Sequence, residues 1–319
     1  MAESKGKITG QQLAKICGVS QGTVDRALNN RNGISAKTKE KILAAAKEYG
    51  YIKNLRASSL SSGKSHIIGV IAFDLNNSFF AQTVDTVSKK ATEKGYSVIT
   101  AMSYKNFETE KKAISQMVAM GVDGIILCPV GHGKDYVNLL INTEIPVITY
   151  GNKLEGIPFV GIDNKKAMAE EINCLLKRGF EKFIYIYTAS NQIEYNNIYA
   201  QEKRYLGFCS ATRNMKNNIV VKDECYAVKT VEYLLKDNAK TAVICPGDIQ
   251  AIKVLSEIRR RNILLGNFEV FGFDNIKILE LLNYNFHTVD IGIEKTAEIC
   301  LNEILSQTPK SNIIEYKII

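Results

Sequence analysis

Apolar residues are spaced in two different ways along this chain. Up to about residue 50 they recur at intervals of three and four, the helical period; from Ile67 onward, short continuous apolar runs alternate with helical stretches. Within Ile8–Ile34 the spacing predicts two short helices joined by a tight turn. Thr9 is placed to cap the first, with Gln12 three residues on as its capping-box partner. Leu13, Ala14 and Ile16 form its apolar face, and Gly18 supplies the positive φ needed to leave it. Ser20 caps the second helix. There Val24, Ala27 and Leu28 point inward together, which leaves Gln21, Gly22, Asp25, Arg26 and Asn29 facing out. A third helix is expected from Ala36 to Tyr49, capped by Ser35 and ended by Gly50. Ile42, Leu43 and Ala46 form its inner face, and Lys37, Lys39, Lys41 and Lys47 line the outer one. Two short helices across a tight turn, the second polar on one face, have the geometry of a helix-turn-helix, whose second helix enters the DNA major groove.

Residues 53–65, rich in Ser, Lys and Gly, read as a linker: a flexible connection or a short helix that orders only on DNA. Beyond it, IIGVIA (67–72), YSVITA (96–101), GIILC (124–128) and PVITY (146–150) read as buried parallel strands, with helices at 79–94 and 108–121 between them. A second set follows. Strands are expected at 183–188, 218–221, 241–245 and 268–273, and helices near 196–214 and at 227–236 and 248–261. FHTVDI, a helix at 293–306 and a strand near 313–318 close the chain. Such alternation implies parallel sheets covered on both faces, and two sets imply two lobes with ligand between them at the carboxyl ends of the strands. The expected division is a head at 1–52, a linker at 53–65 and a two-lobed domain at 66–319. Lobe 1 takes about 66–163 and 291–319, and lobe 2 about 164–290.

Charge sharpens the reading of the head. Residues 1–66 hold 12 Lys and Arg against 4 Asp and Glu; the whole chain holds 41 against 33, so residues 67–319 hold 29 of each. Excess positive charge confined to the head and its linker is the electrostatic footprint of a nucleic-acid-binding module. Hydrophobic content of 45% and charged content of 23% are ordinary for a globular chain. No apolar run reaches the roughly 18 to 20 residues that span a bilayer, and MAESKGK lacks the apolar core of a signal peptide, so a cytoplasmic location is expected. The cysteines at 17, 128, 174, 209, 225, 245 and 300 show no CxxC pair, and none of the three histidines has a partner at ligand spacing. No metal or cofactor is expected. GxSxG, Walker and Rossmann glycine motifs are all absent, which argues against an enzyme.

GVSQGTVDRALN, IS-KT-EKI and YGYIKN resemble the DNA-binding head and hinge of the lac repressor (LacI/GalR) family. FDLNNSFF, GVDGIILCP, IPVITY, VGIDN, RYLGF and FGFD follow the same family's order through the rest of the chain. That part is also similar to periplasmic sugar-binding proteins of the ribose type. The resemblance implies a small all-α helix-turn-helix head and an α/β effector domain of two doubly wound parallel-sheet lobes, periplasmic-binding-protein-like. It implies a homodimeric transcriptional repressor that binds a pseudo-palindromic operator in double-stranded DNA and is controlled by a sugar or sugar derivative. The alternatives are a small-molecule binding protein with a vestigial head, and a regulator controlled by a protein partner.

Carried over residue by residue, the base-reading positions fall on Gln21, Gly22 and Arg26. Arg26 suits guanine, and Gly22 leaves one customary contact without a side chain. Ser20, Thr23, Asn29, Ser35, Lys37, Thr38 and Asn54 match phosphate-contacting positions. Asp25 is placed to orient Arg26 or to accept from cytosine. Leu60 matches a wedge that enters the minor groove, with Arg56 nearby. In the cleft, Asp74, Asn77, Phe79, Phe80, Asn152, Arg204, Asp248, Asp274 and Asp290 match effector positions. The phenylalanines are expected against a sugar ring, and Asp274 as an acceptor of hydroxyl protons. Three positions depart from the family pattern: Gly151, Gly247 and Ile291 stand where polar residues are usual. No heptad pattern near the C-terminus supports a tetramer.

Overall fold

The computed structural model describes residues 8–28, 30–51, 63–188, 196–236, 238–263, 266–281, 287–306 and 308–319. The chain divides into two compact units, Met1–Ser65 and His66–Ile319.

The first unit packs α1 (Gly10–Cys17), α2 (Gln21–Leu28) and α3 (Ala36–Glu48) around Leu13, Ala14, Cys17, Val24, Ala27, Ile42 and Ala46. Helices of this length are marginal alone, so capping and mutual burial hold them. Thr9 and Gln12 make the reciprocal capping box, and Gly18 leaves α1 at φ 66°. Ser20 Oγ accepts from Thr23 N at 3.2 Å, and Ser35 Oγ from Thr38 N at 3.1 Å. Lys41 Nζ donates to Cys17 O at 3.0 Å, placing a cation at the carbonyl end of α1. Two inner-face expectations need correction: Ile16 and Leu43 are exposed, and Cys17 fills the place expected of Ile16. With only three helices to meet, the buried stripe is narrow, and a residue one step off it reaches solvent.

The second unit holds two parallel sheets. The first runs β2-β1-β3-β4-β5-β11, built from β1 (Ile67–Ala72), β2 (Ser97–Met102), β3 (Gly124–Leu127), β4 (Val147–Tyr150), β5 (Phe159–Gly161) and β11 (Asn312–Ile313). The helices of this lobe are α4 (Ser78–Glu93), α5 (Phe107–Ala119), α6 (Lys134–Ile141) and α11 (Ile293–Ile304). Sheet two runs β7-β6-β8-β9, from β6 (Lys182–Ile186), β7 (Asn218–Val221), β8 (Thr241–Ile244) and β9 (Phe268–Phe271). It carries α7 (Asn164–Lys177), α8 (Tyr199–Ala211), α9 (Tyr226–Leu234) and α10 (Asp248–Arg260). Core strands such as β3, β4, β6 and β8 are buried at every position, which explains why they read as unbroken apolar runs.

The chain passes between the lobes after β5, again between β10 (Val289–Asp290) and α11, and a third time between β11 and β12 (Lys317–Ile318). β12 pairs antiparallel with β10, so the last residues, read from sequence as part of lobe 1, hydrogen-bond to the end of lobe 2. The single strand expected near 313–318 is two short ones on different partners. Elements β5, α6 and α7 are additions to the sequence reading. β5 has only three residues, and α6 only eight, too few for either period to stand out.

In lobe 2, α7 and α8 pack against each other at close range. Gly207 allows it: a Cβ there would meet Met168 Cβ at 2.9 Å and the Lys165 carbonyl closer still. This approach brings Arg204, one turn earlier on α8, against Asn164 at the start of α7.

Candidate functional site

The polar face of α2 turns side chains toward solvent. Gln21, Gly22 and Arg26 are exposed, while Val24 and Ala27, on the opposite side, are buried. Ser20, Thr23, Ser35 and Thr38 form two hydroxyl pairs, at 2.9 and 2.8 Å, on the amino-terminal turns of α2 and α3. Unpaired backbone N–H groups and the positive end of the helix dipole make such turns natural phosphate seats. Lys37 is exposed in the first turn of α3. The Asp25 carboxylate, placed by sequence to orient Arg26 or to accept from cytosine, pairs with Arg31 Nη1 at 3.1 Å. Adjacent helix positions diverge by about 100°, whereas the turn after α2 brings Arg31 back alongside Asp25. Asn29, Asn54, Arg56 and Leu60 lie outside the described residues.

Between the lobes of the second unit lies a cavity of about 600 Å³. Its wall is made largely of residues that follow strands: Asp74 after β1, Lys105 after β2, Cys128 after β3, Thr188 after β6, Pro246 after β8 and Asp274 after β9. Open parallel sheets bind ligands at this edge because successive strand ends deliver loops to one place. Asp74, Asn77, Phe79, Phe80, Asn152, Arg204 and Asp274 are all brought to this wall.

On the lobe 1 side, Asp74 Oδ1 accepts from the N–H groups of Asn76 and Asn77 at 2.9 and 3.0 Å, which shapes the loop. Asn77 caps α4 through Phe79 N at 3.0 Å, so its Oδ1 is engaged in the fold. Phe80 is buried and Phe79 half-buried, their rings edge to face at 4.9 Å. Phe79 therefore has more ring surface to offer the cavity than its neighbour.

On the lobe 2 side, Arg204 is fixed at four points. Nε donates to Asn164 Oδ1 at 2.8 Å, Nη1 to Pro246 O, and Nη2 to Asp274 Oδ1 at 3.2 Å, and the guanidinium lies 3.7 Å from the centroid of Phe273. Asp274 has φ 116°, a backbone state that costs a non-glycine residue on the order of 1–3 kcal/mol and gathers at functional sites. Its own N–H is held by Val289 O at 3.0 Å. Gly247, without a side chain, leaves room for the Asp274 carboxylate, since a Cβ there would lie 3.2 Å from Oδ2.

Two expected ligands are off the wall. Asp248 is fully buried, and its oxygens accept from Thr288 Oγ1 at 2.7 Å and Ile276 N at 2.9 Å, tying α10 to the segment after β9. Asp290 bends back onto Gly292 N at 2.8 Å and pairs in β10 with Lys317. Asn152 reaches the wall with both ends of its amide already bonded, Nδ2 to Asn197 O at 2.8 Å and Oδ1 to Ala200 N at 3.0 Å.

The carboxyls behind the wall titrate unusually. Burial pushes Asp274 up to about 6 against the pull of Arg204. Burial, then repulsion from Asp274, pushes Asp248 up to about 7. Glu171 on α7 rises to about 8, by burial and then by repulsion from Asp248, and its Oε2 has no hydrogen-bond partner. The Arg204 guanidinium opposes burial at Asp274 and Glu171, whereas at Asp248 the opposing pull comes from Thr288 and from the N–H groups of Ile276 and Phe273. Asn164, Lys105, Gln201 and Gln250 also line the cavity and were not among the sequence candidates. Gln201 had a signal: it lies one helical turn from Arg204. Among the described residues no cluster of three or more His, Cys, Asp or Glu suits a metal ion, and no helix is long and apolar enough to cross a membrane.

Comparison with known proteins agrees with this layout. Residues 11–54 match the family model described as bacterial regulatory proteins, lacI family, and residues 65–254 match that of periplasmic binding proteins and the sugar binding domain of the LacI family. The chain is 28% identical over 278 residues to catabolite control protein A of Priestia megaterium, covering 85% of this chain and 83% of that one. It is also 28% identical over 318 residues to the probable HTH-type transcriptional repressor ExuR of Bacillus subtilis, covering 94% and 91%. The fold superposes on the lac repressor dimer bound to operator and the anti-inducer ONPF with a TM-score of 0.82, at 18% identity and 98% coverage of each chain.

Proposed function

The chain belongs to the LacI family of bacterial regulatory proteins, and from that premise we propose that it is a cytoplasmic, homodimeric repressor of transcription whose operator affinity is set by a sugar or sugar derivative. The observation that carries the DNA half is the sidedness of α2, with Gln21 and Arg26 in solvent and Val24 and Ala27 in the core of a head that, together with the linker, holds the chain's whole excess of positive charge. Arg26 reads a guanine, Gln21 a neighbouring base edge, and the hydroxyl pairs with Lys37 seat the backbone. One head has few base contacts, so a two-fold pair on a pseudo-palindrome supplies the specificity. Leu60 and Arg56, with Asn54, are assigned to the operator centre by resemblance.

The effector half rests on the cavity. Phe79 offers an apolar face to a ring, while Asp74, Asn77, Arg204 and Asp274 offer acceptors and donors to hydroxyls around it. Ligand in the cavity biases the relative position of the lobes, and operator affinity responds by a coupling free energy on the order of 1–3 kcal/mol.

Selection of bound duplexes from a random pool by the full-length protein tests this reading. A pseudo-palindromic consensus is expected, with affinity that falls steeply as salt rises. No enrichment over random competitor, with or without a panel of sugars and sugar derivatives, would overturn it.

A further inference from the structure

Across one rim of the cavity the lobes are joined by the protein itself. Asn152 and Lys153 follow β4 and Val130 follows β3, all on lobe 1; Asn197 leads into α8 of lobe 2, and Ala200 lies in its first turn. Four hydrogen bonds cross between them. Asn152 Nδ2 donates to Asn197 O at 2.8 Å, and Ala200 N to Asn152 Oδ1 at 3.0 Å. Asn197 N donates to Val130 O at 2.6 Å, and Asn197 Nδ2 to Lys153 O at 3.0 Å. The fourth atom of the pair, Asn197 Oδ1, accepts from Tyr199 N at 3.1 Å. Each nitrogen and oxygen of the two side-chain amides thus has a partner, and in only one orientation, since a flip of Asn152 would set N–H against N–H and O against O.

Asn152 is buried. Buried amides whose every atom is paired fix one arrangement, because the alternative leaves several polar atoms unpaired at once. Here the arrangement fixed is the distance between two lobes. The loop carrying Val130 is itself anchored from behind: Glu110 accepts from Val130 N at 2.7 Å, from Gly131 N at 2.9 Å and from Tyr136 Oη. The lobe 1 half of the rim is therefore a rigid platform, and α8, which carries Arg204, is the part it grips. Asn152 Oδ1 also serves as a cap for α8, so a lobe 1 side chain satisfies the end of a lobe 2 helix.

We propose that Asn152 and Asn197 form a clasp that holds the two lobes closed without ligand, so that Asn152 is a positioning residue and not an effector-recognising one. A clasped cleft meets the cost of closure in advance. The competent conformation is then already populated, which tightens apparent affinity for any molecule that fits. Loosening the clasp lowers that population. Only this consequence for regulation rests on reading the cavity as the effector site; the clasp itself rests on the four hydrogen bonds between the lobes.

The test uses the full-length protein without ligand, followed by amide hydrogen exchange and solution X-ray scattering. In Asn152→Ala, the amides of Asn197 and Ala200 should exchange roughly tenfold faster, the loss expected for a hydrogen bond at the upper end of its usual worth. The radius of gyration should rise while the melting temperature of the lobes stays close to that of the parent. Asn152→Asp keeps the acceptor for Ala200 N but turns a carboxylate toward Asn197 O. Opening of the cleft carries Ala200 away from that acceptor, so Ala200 should exchange faster there and scattering should report a larger radius, whereas a mere helix cap would leave Ala200 protected and the scattering parental. Asn197→Ala should open the cleft as well. Parental scattering in all three variants, or unchanged exchange at Ala200 in Asn152→Ala, would overturn the clasp. Neither result touches operator selection, so failure of the clasp and failure of the regulatory reading are told apart.

Discussion

Arg204 and Asp274 meet at the cavity wall through one hydrogen bond, Nη2 to Oδ1 at 3.2 Å, with both side chains nearly buried. The pair joins α8 to the end of β9. It leaves Asp274 Oδ2 beside Gly247, where a Cβ would stand 3.2 Å away. An ion pair so placed is poor evidence for stability, because two charges are taken from water to make it. Its backbone strain points to function.

Asp274→Asn should therefore abolish the response to effector and leave the fold and operator binding in place, since Asn tolerates a positive φ better than most residues. Asp274→Ala should be worse: it strands Arg204, and breaking a buried pair on one side costs about 3–5 kcal/mol. Operator titrations with and without the active sugar, alongside thermal melts of both variants, measure this. Loss of operator binding in Asp274→Asn would make the residue structural.

The buried carboxyls predict a pH dependence with a defined sign. Unfolded Asp and Glu titrate near 4, whereas Asp274, Asp248 and Glu171 titrate in the fold at about 6, 7 and 8. The native state keeps protons that the unfolded chain has released. Stability should fall as pH rises through this window and level off above about 8. Glu171→Gln removes the highest of the three, so its melting temperature should match the parent at acid pH and exceed it increasingly toward pH 8. A difference that does not change with pH would refute the linkage.

In the head, Arg26→Ala should cost about 1–3 kcal/mol on the preferred operator and blur discrimination at one base pair. Footprinting and affinity against single-base operator variants report it; equal losses on all sequences would reassign Arg26 to phosphate.

Asp25→Asn should act the other way. It removes a carboxylate from the DNA-facing surface and frees Arg31, so operator affinity should rise and its salt dependence steepen. Fold stability should change little, because the pair is exposed and such pairs contribute about 0–1 kcal/mol. Weaker binding would mean that Asp25 contacts DNA directly.

Gly207→Ala should destabilise lobe 2 by about 1–3 kcal/mol, since a Cβ there runs into the backbone of α7 and cannot be relieved by a side-chain rotation. A calorimetric melt checks this; an unchanged melt would mean that α7 and α8 separate without cost.

Local regularities made much of the molecule readable in advance. The capping box of Thr9 and Gln12, the caps of Ser20 and Ser35, and the sidedness of α2 all arise within one or two turns of helix. Continuous runs such as Ile67–Ala72 report burial on both faces of a parallel sheet, which also needs no knowledge of the partner strand. Adjacent aspartates are a different matter. Asp248 and Asp274 look alike as acids at strand ends, yet one faces Thr288 in the interior and the other the cavity.

What the amino-acid order decided alone was the kind of element at each stretch, the polar face of the recognition helix and the confinement of excess positive charge to the head and linker. Hydrogen-bond spacing, helical period and net charge act over a few residues, and they survive in any chain that carries them. Tertiary structure decided which polar groups share a wall, that Asp25 turns to Arg31, and that Asn152 is spent on Asn197 and Ala200. The last two partners lie 45 and 48 residues away in the chain. A side chain's role in such a place follows from what the packed lobes bring within 3 Å of it, a distance that exists only once the whole fold has closed.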